Sequence, residues 1–294
     1  MRKYNVQMVK ISSHKIFFVI MLIVNDFYFN FRGKYCEKMR FEIKLSVNKA
    51  KRGSVLPMNY QYELSSWIYK VLNEGDLLFA SWLHDHGYKA LNKPFKLFTF
   101  SNFFIPDYRI TGDRLEIKSD NINLILSFLP DEAITHFITG LFRERHFMIG
   151  DKKSQVAFEI TQVSALKNPE FDEKMVFRTI SPIFVSVLDL IKGGQIYISP
   201  ESDKYSEQIH QNLQDKYEAF NNRKPDPEWP KTQIRLLSKP KSKLIVIKAG
   251  TPEMSRLKAY NFTFEISGSR ELIGTGYWGG FGKLGSQGFG CVEM

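Results

Sequence analysis

Eleven residues close to the end of the chain have the composition of a phosphate cradle: Gly280-Phe281-Gly282-Lys283-Leu284-Gly285-Ser286-Gln287-Gly288-Phe289-Gly290. They follow the pattern Gly-apolar-Gly, five residues, Gly-apolar-Gly. Paired glycines let a backbone approach a ligand closely and leave N–H groups to meet phosphate oxygens. Glycine density alone fits a tight hairpin equally well, but the symmetric spacing is far more specific. It makes Gly280, Gly282, Lys283, Gly285, Ser286, Gly288 and Gly290 candidate contacts. Upstream, Gly274-Thr275-Gly276-Tyr277-Trp278-Gly279 spells a dinucleotide fingerprint, yet no βαβ unit surrounds it. A second chemical signal precedes the loop. Lys231, Arg235, Lys239, Lys241, Lys243, Lys248, Arg256 and Lys258 stand against the single acid Glu253. Such runs usually coat a solvated face. Interleaved with strands and followed by the glycine segment, this one fits phosphate tracking along a groove.

The whole chain is basic as well. Its 294 residues carry 41 Lys+Arg against 31 Asp+Glu, a formal charge of +10, which points to a nucleic acid or an acidic membrane surface. The charge is divided unevenly: residues 1–38 hold seven basic residues against Asp26 and Glu37. With 43% hydrophobic and 24% charged residues, the chain is neither disordered nor fibrous. Cys36 and Cys291 cannot build a disulfide framework or a zinc site, so a reducing interior, the cytoplasm, is expected. Six histidines scattered singly argue against a metal cage, and no cofactor is expected.

Residues 1–38 differ in texture from the rest. Their apolar run, Ile16 to Val24, is far shorter than the roughly 20 residues a membrane span requires. It ends in Asn25-Asp26-Phe27-Tyr28 with no small-residue cleavage site. Met39 is therefore expected to be the functional start, with residues 1–38 an extension outside the working protein. Anchorage of that run at a membrane surface is a further, weaker reading.

From Met39 onward two similar patterns follow. Phe41, Ile43, Leu45 and Val47 alternate with polar residues and predict a strand. Leu64, Ile68, Val71 and Leu72 mark one face of a helix, and a second helix should run from an Asp76 cap to a Gly87 stop. Residues 95–104 are rich in β-formers. A hairpin is predicted from Leu115–Lys118 through Ser119-Asp120-Asn121 into Ile122, Leu124, Leu126 and Phe128. A helix opened by Pro130 and strands around Gly150-Asp151 complete the unit. The second copy reads as a strand over Val176 to Leu188 and a helix from about Ser202 to Phe220. Strands over residues 232–237 and 244–247 come next, then the alternation Tyr260, Phe262, Phe264, Ile266. A short helix near Ser269 to Ile273 and a final strand end it. The order strand, helix, strands, helix, strand predicts an α+β protein of tandem ferredoxin-like (RRM-like) domains, residues 39–168 and 169–294, with antiparallel sheets carrying helices on one face. Such sheets and the cleft between them commonly bind single-stranded RNA.

Several segments then carry a resemblance: Met39-Arg40-Phe41, Leu56-Pro57 through Asn59-Tyr60, Trp67-Ile68-Tyr69, Leu83-His84, Phe95 through Ser101, Ile180 through Ile183, and the glycine loop. Over residues 39–294 the chain resembles the CRISPR-associated repeat-processing endoribonucleases, the Cas-six family. The resemblance implies metal-free cutting of CRISPR repeat RNA, in which the 2′-hydroxyl attacks the scissile phosphate and leaves a 2′,3′-cyclic phosphate and a 5′-hydroxyl. It implies CRISPR repeat RNA, single-stranded or hairpin, as partner; other effector subunits and a homodimer are compatible with it. In the archaeal form a Tyr, a His and a Lys carry the reaction, and Tyr69, His84 and Lys96 look like the matching positions. Transesterification needs a base, an acid and positive charge near the phosphorane, which these residue types supply. Tyr69 lies one residue off its helix stripe. His84 sits in a last helical turn, where the dipole favours imidazolium. Lys96 is expected on a strand face with Phe98 and Phe100. His86 is an alternative to His84. The competing reading is a non-catalytic RNA-binding ferredoxin-like subunit of a CRISPR effector.

Overall fold

The computed structural model describes residues 38–91, 93–189, 194–248 and 252–294. The expected extension, with its Ile16 to Val24 run, thus lies outside the described residues except for Lys38. The described elements belong to one contiguous unit, residues 38–294.

Strand β1, Met39–Asn48, buries Phe41, Ile43, Leu45 and Val47 as the alternation requires. Helix α1, Gln61–Gly75, buries its predicted stripe together with Trp67. Helix α2, Leu77–Asp85, is capped by Asp76, whose carboxylate accepts the Phe79 N–H at 2.8 Å. Gly87 stops it with a φ of +64°, its N–H donating to the Trp82 carbonyl at 2.9 Å. Strands β2 (Phe98–Phe100) and β3 (Asn121–Phe128), helix α3 (Asp131–Leu141) and strands β4 (His146–Gly150) and β5 (Gln155–Ala165) follow. They form an antiparallel sheet in the order β2-β3-β1-β5-β4. Trp67 of α1 stacks on Phe147 of β4, and Phe137 of α3 meets both Trp67 and Phe128 of β3, so the two helices cover the sheet together.

The second lobe repeats the plan. Its elements are β6 (Lys174–Thr179), α4 (Tyr205–Asn221), β7 (Gln233–Leu236), β8 (Lys241–Ile247), β9 (Ser255–Asn261), β10 (Thr263–Ser267), α5 (Arg270–Gly279) and β11 (Val292–Glu293). The sheet order is β7-β10-β6-β11, while β8 and β9 pair with each other as a separate hairpin. Apart from β4, the two sheets share one strand order, that of a tandem ferredoxin-like α+β fold.

Four expectations change. Arg114–Ile117 pairs with Val55–Pro57 and Tyr108–Thr111, not with β3, so the predicted hairpin divides between two sheets. The strand over Val176 to Leu188 stops at Thr179; Pro182 brings no N–H to a ladder, and Ile180 and Ser181 instead donate to the Cys291 carbonyl. Tyr260 and Phe264 fall on different strands, separated at Phe262. The short helix near Ser269 extends to Gly279, because its glycines admit close neighbours: a Cβ on Gly276 would stand 2.4 Å from the Phe281 ring.

The lobes share their interior. Leu97 and Leu129 of the first pack in one apolar cluster with Phe177, Phe264, Trp278 and Phe281 of the second. Arg40 of β1 crosses the same boundary. Its buried guanidinium donates to the carbonyls of Val292 at 2.6 Å and Tyr277 at 2.8 Å, and lies 3.7 Å from the Tyr277 ring centre. A buried charge is tolerable only with such partners. No helix among the described residues is long and apolar enough to cross a membrane.

Candidate active site

Tyr69 leaves the apolar stripe of α1 one residue after buried Ile68 and lies half-buried at the edge of the first lobe. Its ring meets His84 edge-on at 5.3 Å and Phe98 at 5.6 Å between centroids. Burial pushes its phenol up to about 12, opposed by a hydrogen bond from the Ser286 hydroxyl. Helix α2 carries His84 in its last turn, exposed. Its Nδ1 lies 2.8 Å from Asp85 Oδ1, which leaves Nε2 for a substrate. The same contact holds the Asp85 carboxyl below its usual range. Asp85 escaped the sequence reading; its position beside His84 was the signal. His86 is exposed beyond the helix end, and the ring facing Tyr69 is that of His84.

Lys96 corrects an expectation. It lies between strands rather than on one, and Phe98 and Phe100 are fully buried, so no stacking surface accompanies it. Its ammonium instead donates to the His84 carbonyl at 2.5 Å, at the negative end of α2. Gly87 makes room: a Cβ there would come within 2.6 Å of the Phe95 carbonyl and 3.3 Å of Lys96 Nζ. Burial lowers the Lys96 pKa and nearby Lys89 adds to this, while Asp85 raises it. Tyr69, His84 and Lys96 therefore come together, far apart in sequence though they are.

Lys96 also lines a cleft of about 640 Å³ between the lobes. One wall is Lys93 to Phe98; the others are Ser186 to Leu188, the face of α4 that carries Gln208, Asn212, Asp215 and Lys216, and the loop tip Lys283 to Gln287. Leu97 and Leu284 flank it with φ angles of +54° and +61°, a conformation that costs a non-glycine residue about 1–2 kcal/mol and is held here by the surrounding packing. Another cavity, about 460 Å³ beside Trp67 and Phe147 in the first lobe, contains none of the three residues.

The glycine loop is built differently from a cradle open along its length. Gly280, Gly282, Gly288 and Gly290 are buried, with φ between +74° and +85°. The close approach they permit is to the protein itself: a Cβ on Gly282 would stand 2.5 Å from the Phe184 carbonyl, and one on Gly290 2.0 Å from that of Phe281. The Gly290 and Gly288 N–H groups donate to Pro182 and Gly285, and Phe281 and Phe289 enter apolar clusters. What reaches the cleft is Gly282 and the tip beyond it, with Lys283, Gly285 and Ser286. The tip is fixed from both lobes. Ser65 donates to the Ser286 carbonyl at 2.6 Å and Thr99 to that of Phe289 at 2.8 Å. Lys216 of α4, buried, donates to the carbonyls of Gly282 at 2.7 Å, of Gly280, and of Gly279 at 3.4 Å. Burial brings its pKa down to about 7.

The basic run lies elsewhere. Lys231, Arg235, Lys239, Lys241 and Lys243 do not line the cleft; its cations are Lys93, Lys96, Lys216 and Lys283. Arg235 is held by both oxygens of Glu265, at 3.0 and 2.9 Å. Lys241 and Lys243 stand on the β8–β9 hairpin, whose Ile245 and Ile247 pack with Phe289 and Leu284, so the hairpin abuts the glycine loop without entering the cleft. Clefts are assembled by topology, and a run of like residues along one segment does not reveal which wall they join.

Residues 55–163 match the family described as CRISPR-associated protein Cas6, N-terminal, and residues 166–294 its C-terminal counterpart. The chain is 30% identical over 264 residues to a CRISPR-associated endoribonuclease Cas6 of Methanocaldococcus jannaschii, an alignment covering 87% of this chain and 92% of that one. The solved structure of a Cas6-related gene product from Pyrococcus furiosus is 28% identical with a TM-score of 0.74, covering 87% and 98% of the two chains. A structure described as a RAMP protein binding different RNA substrates is 25% identical with a TM-score of 0.73, covering 87% and 98%.

Proposed function

Since the chain belongs to the Cas6 family of CRISPR-associated proteins, we propose that it cuts CRISPR repeat RNA in the precursor transcript, without a metal ion, to release guide RNAs. The observation that carries this is the meeting of Tyr69, His84 and Lys96 at a lysine-lined cleft. The 2′-oxygen attacks the neighbouring phosphorus, and the bond from phosphorus to the 5′-oxygen breaks. A 2′,3′-cyclic phosphate and a 5′-hydroxyl result. His84, steadied by Asp85, gives its Nε2 proton to the departing oxygen. The Lys96 ammonium offsets the charge of the phosphorane. Tyr69 is the group placed for the 2′-hydroxyl. Titrating near 12, it meets that hydroxyl at neutral pH as a hydrogen-bonding phenol, and only its phenolate form takes the proton. Acid and charge are supplied by side chains, and the 2′-proton passes to the Tyr69 oxygen in the small fraction that is phenolate, so the reading requires no metal. An RNA-holding subunit that does not cut would need no such trio.

The test is incubation with the repeat RNA encoded beside the protein's own gene, followed by end-group analysis. Cyclic phosphate and 5′-hydroxyl ends, formed equally well in EDTA, are expected. Ends carrying a 5′-phosphate, or cleavage abolished by EDTA, would refute the mechanism.

A further inference from the structure

We infer that the inter-lobe cleft seats a nucleobase next to the scissile phosphate, and that the side-chain amides of Asn212 and Gln287 read its hydrogen-bonding edge. The inference rests on the RNA-cleaving reading above. Its starting point is a pair of orphaned atoms: Asn212 Oδ1 and Gln287 Oε1 are out of contact with solvent and have no hydrogen-bond partner among the described residues. Such groups are costly and rare in folded proteins. These two line the same cleft from different walls, Asn212 from α4 and Gln287 from the glycine-loop tip. Because an amide carries a donor and an acceptor at its end, turning either side chain over exchanges the unmatched atom without supplying a partner. Turned outward into the cleft, the two amides would find partners in a ligand that brings both donors and acceptors.

The surroundings restrict what that ligand is. The volume, about 640 Å³, is that of a small-molecule site and admits a nucleotide. Lys93, Lys96 and Lys283 supply cations along its walls. Asp215, an acid of the same wall, is held by Lys93 and by Gln211 at 2.7 Å each, so it does not present a bare carboxylate to a polyanion. Proximity to the reaction comes from shared residues. Lys96 belongs to both cleft and trio, and Ser286, beside Gln287 on the cleft lining, is close enough to Tyr69 to hold down the rise in its phenol pKa. A phosphate at Lys96 therefore puts an adjoining nucleotide within the cleft. Amides pair with base edges through a donor and an acceptor together, and unstacked RNA exposes those edges.

The test reads binding apart from cutting. Repeat RNA carrying a 2′-deoxy sugar at the cleavage site, with each nucleotide replaced in turn by the other three bases, is titrated against the full chain. The wild type should prefer one base about tenfold or more at a position flanking the cut, the discrimination expected of a bidentate amide contact. Asn212→Asp and Gln287→Glu keep the side-chain shape but turn a donor–acceptor pair into acceptors alone, so each should change the preferred base at that position and leave the profile elsewhere. No preference in the wild type beside the cut, or a uniform loss across all substituted RNAs in the variants, overturns the inference. Discriminating binding together with an uncut all-ribose repeat RNA would instead refute the cleavage reading and leave the base pocket standing.

Discussion

Replacing Tyr69 by Phe removes one oxygen, and the structure specifies separate consequences for stability and for chemistry. The Ser286 side chain acts on the phenol across the lobe boundary, so below pH 9 the variant should lose at most about 1 kcal/mol, the net value of one hydrogen bond. The sign then changes with pH. The phenol is raised from 10.0 to about 12 in the fold, so its neutral form is the one the fold favours. That contribution is fully present below pH 10 and is lost as pH rises toward 12. By pH 11 about 1.4 kcal/mol of it has gone from the wild type, whereas the Phe variant has nothing to lose at this position. The two stabilities should therefore converge near pH 11, while repeat cleavage at pH 7.5 falls by about 10²–10⁴-fold. Urea denaturation at pH 8 and pH 11, beside single-turnover cleavage, measures both. A stability gap that stays constant from pH 8 to pH 11 would show that the phenol is not desolvated as described. Cleavage within threefold of wild type would remove Tyr69 from the reaction.

Other outcomes follow from the same geometry. His84→Ala should cut repeat cleavage by about 10²–10⁴-fold while the affinity for uncleavable repeat RNA stays close to wild type; full activity in that variant would shift the acid's role away from His84. Gly290→Ala places a methyl 2.0 Å from the Phe281 carbonyl at a φ of +78°, and should cost more than about 2 kcal/mol in chemical denaturation; a neutral result would mean that the loop can rearrange around it. Lys216→Met relieves a buried ammonium but strips three carbonyls of their donor, and a net loss of about 1–3 kcal/mol is expected; a raised melting temperature would show that the cost of burying the charge outweighed its hydrogen bonds.

Much of this architecture is local in origin. The alternation from Phe41 to Val47, the stripe on α1, the Asp76 cap and the Gly87 stop each follow from period and turn chemistry within a few residues, and each recurs in the fold. The same periodicities, taken in order, sufficed for a tandem ferredoxin-like architecture. What failed was pairing. Nothing in Leu115–Lys118 indicates that its partner is Tyr108–Thr111 rather than the strand four residues ahead, because a half-buried strand looks alike in either sheet.

The site divides in the same way. Sequence alone, through its resemblance to the family, pointed to Tyr69, His84 and Lys96, and it showed a glycine-patterned segment near the end of the chain and a basic protein. Only the tertiary structure decided that Lys96 caps α2 instead of lying beside exposed aromatics, and that four glycines are buried against carbonyls of their own chain. It alone placed Lys93, Lys216 and Lys283, rather than the run from Lys231 to Lys243, around the cleft. The physical reason is one of range. Helix and strand periods, caps and left-handed turns are set by neighbours along the chain, whereas a cleft wall is set by which segments the shared core brings together across more than a hundred residues.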